Sequence, residues 1–532
     1  MNISPIPQAH MDGATFLFLL LLVAGAAGGQ TGKPEDAPSD DTLHLTVGKV
    51  VVLGKAPGPD AYNLPTSVDV VAADKLENEN VDFSLELAKE VPGVHTSEYN
   101  QGILHGDLGI RGFNAEGGVP HVKLLIDGIP SNLNNGFPDM NALFPLEISR
   151  MEMTRGTNDP RYGLHNLAGN VNVFTKRGGN RHMAKVTGGS FHTGDVQALS
   201  AIERNNFSQT YFAGYRRSDG YRDNSEMEKY ALSGKWFHTA AGDRLTYGLI
   251  ARAFELEAKA PGYLTSSQAE ADPRASPAFS ESDGGTQGNR HASFHADWDI
   301  RDNLSWSFKT YGQSVDRHRW VRFTEADVQQ ERVEDEKQYG AISFLTWKPS
   351  GVPLKDLALS WGADYQLQDN ANERFRGAER TRAETLRDHD FYFWTYGSYA
   401  QADARPLSWL RLIGALRWDR VDGDFSDRLS GRHLDIIDYG NIWQPKFSAV
   451  VTPYRGYNLY GNWGRSFQVG VGAGAYGDQD LDWSKNTGWE AGVKAKPLSW
   501  LSTRLALWEQ TATDEVRLKF DASGESENIG ET

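Results

Sequence analysis

From residue 181 onward, polar and apolar residues alternate along most of the chain. Leu304, Trp306, Phe308 and Thr310 interleave with Ser305, Ser307, Lys309 and Tyr311. Leu410, Leu412, Gly414, Leu416 and Trp418 interleave with Arg411, Ile413, Ala415, Arg417 and Asp419. Phe207, Gln209, Tyr211, Ala213 and Tyr215 interleave with Ser208, Thr210, Phe212, Gly214 and Arg216. A period of two places successive side chains on opposite faces of a strand. One face is apolar or aromatic, and the other is mostly polar or small. Roughly sixteen such segments of about ten residues recur, the length of a tilted transmembrane strand, and apolar-out, polar-in is the pattern of a water-filled barrel in lipid.

The connections alternate as well. Lys348-Pro349-Ser350-Gly351, Arg405-Pro406-Leu407-Ser408 and Thr452-Pro453-Tyr454-Arg455-Gly456 are turn-like, whereas 258–286, 316–336, 368–389, 422–441 and 468–485 are long and polar. Short turns on one side and long loops on the other fit an outer-membrane barrel better than a soluble sandwich or propeller. Pro-Leu-Ser-Trp-Leu occurs at 406–410 and at 497–501, which predicts a hairpin repeat with Trp409 and Trp500 at equivalent interfacial heights.

Residues 62–178 have a different texture and predict a small α+β domain. Ser67–Val71, Val122–Ile126, Ile148–Thr154 and Gly169–Thr175 read as strands, with a turn at Asp127-Gly128. Asp82 is placed to cap a helix through Phe83, Leu85, Leu87 and Ala88, stopped by Pro92-Gly93. Ahead of this domain, Phe16–Ala27 is an apolar run too short to span a bilayer as a helix. Small residues follow it at Ala24–Gly29, so 1–29 reads as a signal peptide, although no Lys or Arg precedes the run. Residues 30–61 read as a linker, rich in Gly, Pro and acid over Gln30–Asp41.

Composition narrows the classes. Of 532 residues, 39% are hydrophobic, 11% aromatic and 23% charged, with 55 Gly; mean hydropathy is −0.53. A disordered chain and a helical membrane protein are both excluded. The net charge of −16 argues against nucleic acid as a partner. The absence of Cys excludes a disulfide scaffold, a thiol nucleophile and a thiolate metal site. Gly472–Gly477 spells GxGxxG, but acids at 478–482 follow it where a dinucleotide site needs a helix. His291 and His295 share a strand face without a zincin Glu, and 478–482 do not match an EF-hand loop. No catalytic constellation, no metal site and no cofactor is expected, and the chain is not read as an enzyme.

Four stretches resemble the plug of TonB-dependent outer-membrane receptors. They are LELAKEVPGV at 85–94, LGIRGF at 108–113, VKLLIDGIP at 122–130 and ISRMEMTRGTNDPRYGLHNLAGNVNVFTK at 148–176. In the last, Arg150, Glu152, Arg155, Gly156, Tyr162, Gly163, Gly169, Asn172, Thr175 and Lys176 match the family pattern, while Thr157 replaces the usual Pro and Ala168 the first Gly of a pair. In the barrel part, Leu459–Phe467 and Trp489–Lys494 also look familiar, so the resemblance spans about 41–532.

The resemblance implies a transmembrane antiparallel β-barrel over 181–532 with the plug domain, 62–178, inside its lumen. It implies a receptor and active transporter in the outer membrane of a Gram-negative-type bacterium, taking up a scarce ligand such as a ferric siderophore. Cobalamin, haem or another metal chelate are alternatives; a passive porin fits less well, because an open pore needs no such obstruction. The implied partners are TonB with ExbB and ExbD, the chelate, and outer-membrane lipid. Arg111, Glu147, Glu152 and Arg155 are the implied plug–barrel contacts. Gly112, Gly128, Gly156, Gly163 and Gly169 are positions that need a turn or close backbone approach. The segment that pairs with TonB has two candidates. One is 41–47, with Thr42 and Leu45; the other is 49–54, with Val50, Val51 and Val52, and its spacing to Ser67-Val68 is the more usual.

Two further expectations follow from the family pattern. With only 30–61 between signal peptide and plug, the protein is expected to import rather than signal. Family barrels have 22 strands, so roughly sixteen, with no closing strand ending in an aromatic, suggest an incomplete barrel lacking about 130–200 residues.

Overall fold

The computed structural model describes residues 64–113, 119–476, 481–498, 500–519 and 526–531. Its first domain begins with β1 (Val68–Ala72) and a single helical turn, α1 (Ala73–Leu76). A 3₁₀ segment (Ser84–Glu90), the hairpin β2 (Val94–Gln101) and β3 (Leu104–Ile110), β4 (Val122–Ile126) and the short β5 (Ile129–Pro130) follow. β6 (Ile148–Arg155) and β7 (Gly169–Thr175) complete it. The sheet order is β1-β6-β7-β4-β5, with β4 and β7 parallel and the other pairs antiparallel. Leu85, Leu87 and Leu108 close over Leu124, Met151, Met153, Val171 and Val173 to form one dry core. Each aliphatic side chain so buried contributes about 1.5–3 kcal/mol.

The predicted helix after Asp82 is a 3₁₀ segment instead, and Asp82 does not cap it. The Phe83 backbone N–H is satisfied by the Glu86 carboxylate at 2.9 Å. Asp82 is taken by Arg216 of the large sheet at 2.5 Å. The β2–β3 hairpin went unpredicted because His95, Thr96, Ser97, Glu98 and Asn100 give it no apolar alternation.

Most of the described residues beyond the first domain form one antiparallel sheet of sixteen strands. It begins with β8 (Arg181–Gly189), β9 (Thr193–Arg204), β10 (Phe207–Ser218), β11 (Met227–Ala240) and β12 (Leu245–Lys259). It continues through β13 (Gly284–Arg301), β14 (Leu304–Val321), β15 (Gln330–Trp347), β16 (Lys355–Ala378) and β17 (Thr381–Leu407). Then come β18 (Leu410–Asp427), the short β19 (Arg432–Asp435), β20 (Ile442–Tyr454), β21 (Tyr457–Gln468), β22 (Ser484–Leu498) and β23 (Leu501–Thr513). Neighbours in sequence are neighbours in the sheet, except that β18 pairs with both β19 and β20. A separate ribbon joins β24 (Val516–Leu518) to β25 (Ser526–Asn528).

Alternation sets the two faces of this sheet. On β18, Leu416 is 46% exposed, while its neighbour Arg417 is 1% exposed. Lys309 and Tyr311 on β14, and Phe212 and Arg216 on β10, are buried likewise. The outward face carries Tyr247, Leu249, Trp298, Tyr339, Trp361 and Trp443, an aromatic and aliphatic surface suited to lipid. Trp409 lies between β17 and β18 and Trp500 between β22 and β23, and both are exposed.

The inward face meets the first domain along the whole sheet order. Lys185 of β8 reaches the Glu79 carbonyl, Lys309 of β14 the Asp127 carbonyl at 3.1 Å, and Arg504 of β23 the Val68 carbonyl at 2.9 Å. A sheet touching one small domain from both its first and last long strands must curl around it. The expected ten-residue strands are exceeded on one side: β16 has 24 residues and β17 has 27. The stretches 316–336 and 368–389, expected as loops, are largely strand. Ladder hydrogen bonds persist there in water, where neither face needs to be apolar.

Candidate functional site: the seam around the first domain and the cavity at its outer end

At the short-turn end of the sheet, the entry to the first domain is strapped down by β21–β23. Lys494 Nζ donates to the carbonyls of Leu64 and Thr66 at 2.6 and 2.7 Å. Asn462 donates to the Pro65 carbonyl at 2.7 Å, and Arg504 to the Asp69 carboxylate at 3.0 Å. Glu490 on β22 is the hub. It accepts from Ser67 Oγ at 2.7 Å, from Tyr460 at 2.5 Å and from Arg111. Arg111 also lies 4.8 Å from the Trp508 ring. The turn presents that guanidinium because Arg111 and Gly112 both take left-handed backbone, at φ +57° and +88°.

Midway up, Asp127 binds Lys235 of β11 at 3.1 Å, Arg252 of β12, and the Thr175 hydroxyl at 2.7 Å. Burial pushes its carboxyl up, but the two cations and Thr175 outweigh this and hold it well below the ordinary carboxylate range. Glu147 goes the other way, raised by burial despite the same cations. It accepts from Phe144 N–H at 3.2 Å and from Ser233 Oγ of β11 at 3.3 Å. A third cluster joins Arg417 to Asp419 and Asp364 at 2.6 and 2.8 Å and to the Pro160 carbonyl at 3.3 Å. Lys123 faces it, its ammonium lowered by burial to about 8.

Of the four charges implied as seam contacts, Arg111 and Glu147 reach the sheet. Arg155 binds Asp69 at 2.5 Å and the Pro92 carbonyl, both within the first domain, and is linked to the sheet through the Asp69 it shares with Arg504. Glu152 is held by Arg150 at 2.6 Å, two residues away on the same face of β6. Both residues lie in β6, an inner strand paired on both sides, so their nearest opposite charges are local. Gly112, Gly128 and Gly156 lie at φ +88°, +77° and +86°. Gly163 differs: its backbone is ordinary, and a Cβ there would overlap the Asp419 carboxylate and the Arg417 guanidinium. Gly169, at φ +140°, lies against the Thr154 carbonyl. Thr42, Leu45, Val50, Val51 and Val52 lie outside the described residues.

Sequence reading placed Asp127 only in a turn and missed Glu490, Lys235, Arg252 and Arg504 as seam partners. For the last four, the available signal was a charge on the polar face of an alternating strand, since a buried charge must find a partner.

At the long-hairpin end lies a cavity of about 180 Å³. Its floor is Leu133 and Phe137–Asn141 of the first domain, with Tyr99 and Ile103 of the β2–β3 hairpin. Gln287, Arg317, Arg319, Arg332 and Glu334, near the outer ends of β13–β15, form its wall. The cavity and the strapped entry segment are thus at opposite ends of the seam. His291 and His295 face the same interior, joined through Ser293 Oγ at 3.0 and 2.9 Å.

Two family models match this chain: "TonB dependent receptor-like, beta-barrel" over residues 204–532 and "TonB-dependent Receptor Plug Domain" over 60–170. The chain belongs to the TonB-dependent receptor family, a family of the outer membrane. Its sheet and inner domain are that family's barrel and plug. The fold is similar to that of the ferric citrate transporter FecA in its unliganded form, at TM-score 0.76 and 16% identity, covering 88% of this chain and 73% of FecA. Among curated relatives, the vitamin B12 transporter BtuB of Vibrio vulnificus (strain YJ016) is 23% identical over 319 residues, 59% of this chain and 48% of BtuB. The ferric enterobactin receptor PirA of Pseudomonas aeruginosa is 25% identical over 194 residues, 34% of this chain and 26% of PirA. The match thus spans about half or less of each curated relative.

Proposed function

We propose that this protein is an active importer that takes a scarce metal chelate, of the ferric siderophore class, across the outer membrane. The observation that carries the reading is the arrangement of the plug. A cavity opens toward the long hairpins, and the chain entering the plug is tied down at the short-turn end by Lys494, Asn462 and Glu490. A ligand arriving at one end and a pull applied at the other act on one small domain. Its seam is built from charge-assisted hydrogen bonds, which hold firmly yet re-form after sliding, unlike a dry apolar seam. TonB, with ExbB and ExbD, supplies the pull through the segment at 49–54 or at 41–47. Arg111 and Glu147 serve as seam contacts, and Glu152 and Arg155 act behind them by stiffening β6. Residues 1–29 direct export. Cobalamin is the second reading, favoured by the likeness to a vitamin B12 transporter.

Radioiron and radiocobalamin uptake in cells with and without TonB tests this. Uptake of a ferric chelate that needs TonB is expected, and Val51→Pro should abolish uptake while leaving ligand binding intact, because Pro removes a strand-pairing N–H. Normal transport by Val51→Pro moves the segment to Leu45. TonB-independent uptake, or none of either ligand with the protein in the outer membrane, overturns the proposal.

A further inference from the structure

Four arginines stand side by side across the outer half of the sheet. Arg319 of β14 is the register partner of Arg332 on β15, Arg332 of Arg374 on β16, and Arg374 of Arg387 on β17. They lie on the inward face. On β15, the same face carries Glu336, which accepts from plug Asn134 N–H at 2.7 Å, and Gln338, which donates to the Asn132 carbonyl at 2.8 Å. Like charges directly opposite one another destabilise a sheet, and three such pairs follow in succession here. Moreover, the Nε groups of Arg319, Arg332 and Arg374 are buried without a hydrogen-bond partner among the described residues. A buried donor left unpaired has given up its bond to water with nothing in return.

The carboxylates of the adjoining cavity are already committed. Asp139 accepts from Gln287 at 2.5 Å, Asn289 at 3.2 Å and Asn141 N–H at 2.9 Å. Glu334 is bridged by Arg317, its register partner. Arg319 and Arg332 line the cavity wall, and Arg332 is steadied 5.1 Å from the Phe323 ring. At about 4.8 Å between strands, the row spans about 14 Å. Guanidinium forks match carboxylates two bonds at a time.

We infer that the row Arg319, Arg332, Arg374 and Arg387 anchors a polyanionic chelate, one whose metal is carried by several carboxylates. This deepens the import reading and rests on it for the metal. A cationic hydroxamate chelate would be repelled from the same surface.

The test uses the full chain purified in detergent micelles, with tryptophan fluorescence reporting binding. Three probes are compared: ferric citrate, metal-free inorganic tripolyphosphate and the cationic hydroxamate chelate ferrioxamine B. Both anions should bind, with ferrioxamine B at least tenfold weaker. Arg332→Gln and Arg374→Gln should each weaken both anions at least tenfold, and Arg332→Lys, which keeps charge but loses the fork, should weaken ferric citrate by less. Arg244→Gln, in a turn at the opposite end, should match wild type, and equal protease protection of all variants controls for folding. The inference is overturned by equal binding of ferrioxamine B and ferric citrate, by unchanged ferric citrate binding in Arg332→Gln, or by no binding of either anion. Radioiron uptake without arginine-dependent anion binding would sink the inference and leave the importer reading. Arginine-dependent tripolyphosphate binding without uptake of any chelate would do the reverse.

Discussion

Within the plug, Leu124, Met151, Met153, Val171 and Val173 meet on one side of the β1-β6-β7-β4 sheet with no exposed surface. On the other side, the same strands carry Lys123, Asn170 and Asn172; Lys123 faces the Arg417 cluster, and Asp127 at the end of β4 binds Lys235 of the surrounding strands. The first seam is non-directional, and its apolar area is lost from water once and for all. In the second, each bond is strong only while its geometry holds, and the desolvation of each charge offsets much of what its partner returns. A domain that must stay folded while its attachment yields needs both kinds of seam, and here they are the two faces of one five-stranded sheet.

The largest break in this comparison comes from putting the second kind of residue into the first seam. Val171→Asp buries an unpaired carboxylate in the plug core, so the plug should lose its fold outright. Proteolysis in outer-membrane fractions is expected to remove the plug while leaving the sheet protected. Leu124→Ala should weaken the plug by about 2–5 kcal/mol, read as a lower denaturant midpoint for plug cleavage.

The second seam responds differently. Arg111→Leu leaves Glu490 buried without its cation, a cost of about 3–5 kcal/mol in docking. The plug should remain folded but become accessible to protease at the Leu64–Asp69 entry. Adding Glu490→Leu should recover most of the loss. Failure of that double variant to recover would mean that Ser67 and Tyr460, not the ion pair, dominate the hub.

The pH dependence sharpens the same contrast. Asp127 has a depressed folded-state carboxyl, so its contribution is fully present above the ordinary Asp value of about 3.9 and is lost only as pH falls through its lower folded value. The docking difference between wild type and Asp127→Asn should therefore be constant from pH 8 down to about 4 and shrink below that. A difference already fading at pH 6 would contradict the depressed carboxyl. The smallest effect is expected at Thr157, where the usual Pro is replaced. Its hydroxyl donates to the Gly464 carbonyl at 2.9 Å, and Thr157→Val should cost about 1 kcal/mol or less, measured as a small rise in plug protease sensitivity.

The strand faces are legible in the residue order alone because a two-residue period leaves no other freedom. Given that Leu416 faces lipid, Arg417 must face inward. Val122–Ile126 and Gly169–Thr175 are legible for a related reason, as short β-rich runs bounded by turn residues. The β2–β3 hairpin and the water-exposed halves of β16 and β17 are not, since polar strands held by their ladders leave no hydropathy signature. The seam is half legible. Arg111 stands out in its motif, but its partner Glu490 lies 379 residues away, and no local pattern encodes that distance.

Alternation, turn chemistry and composition by themselves determined the two-part architecture, the lipid and inner faces, and the charges that must be buried. Those properties depend on neighbours a few residues apart, where strand geometry is rigid. Only the tertiary structure decided the pairings: Asp127 with Lys235 and Arg252, Glu490 with Arg111, and four arginines abreast on four strands. Electrostatic partnership is set by distance through space, and that distance exists only once the sheet has curled around the plug.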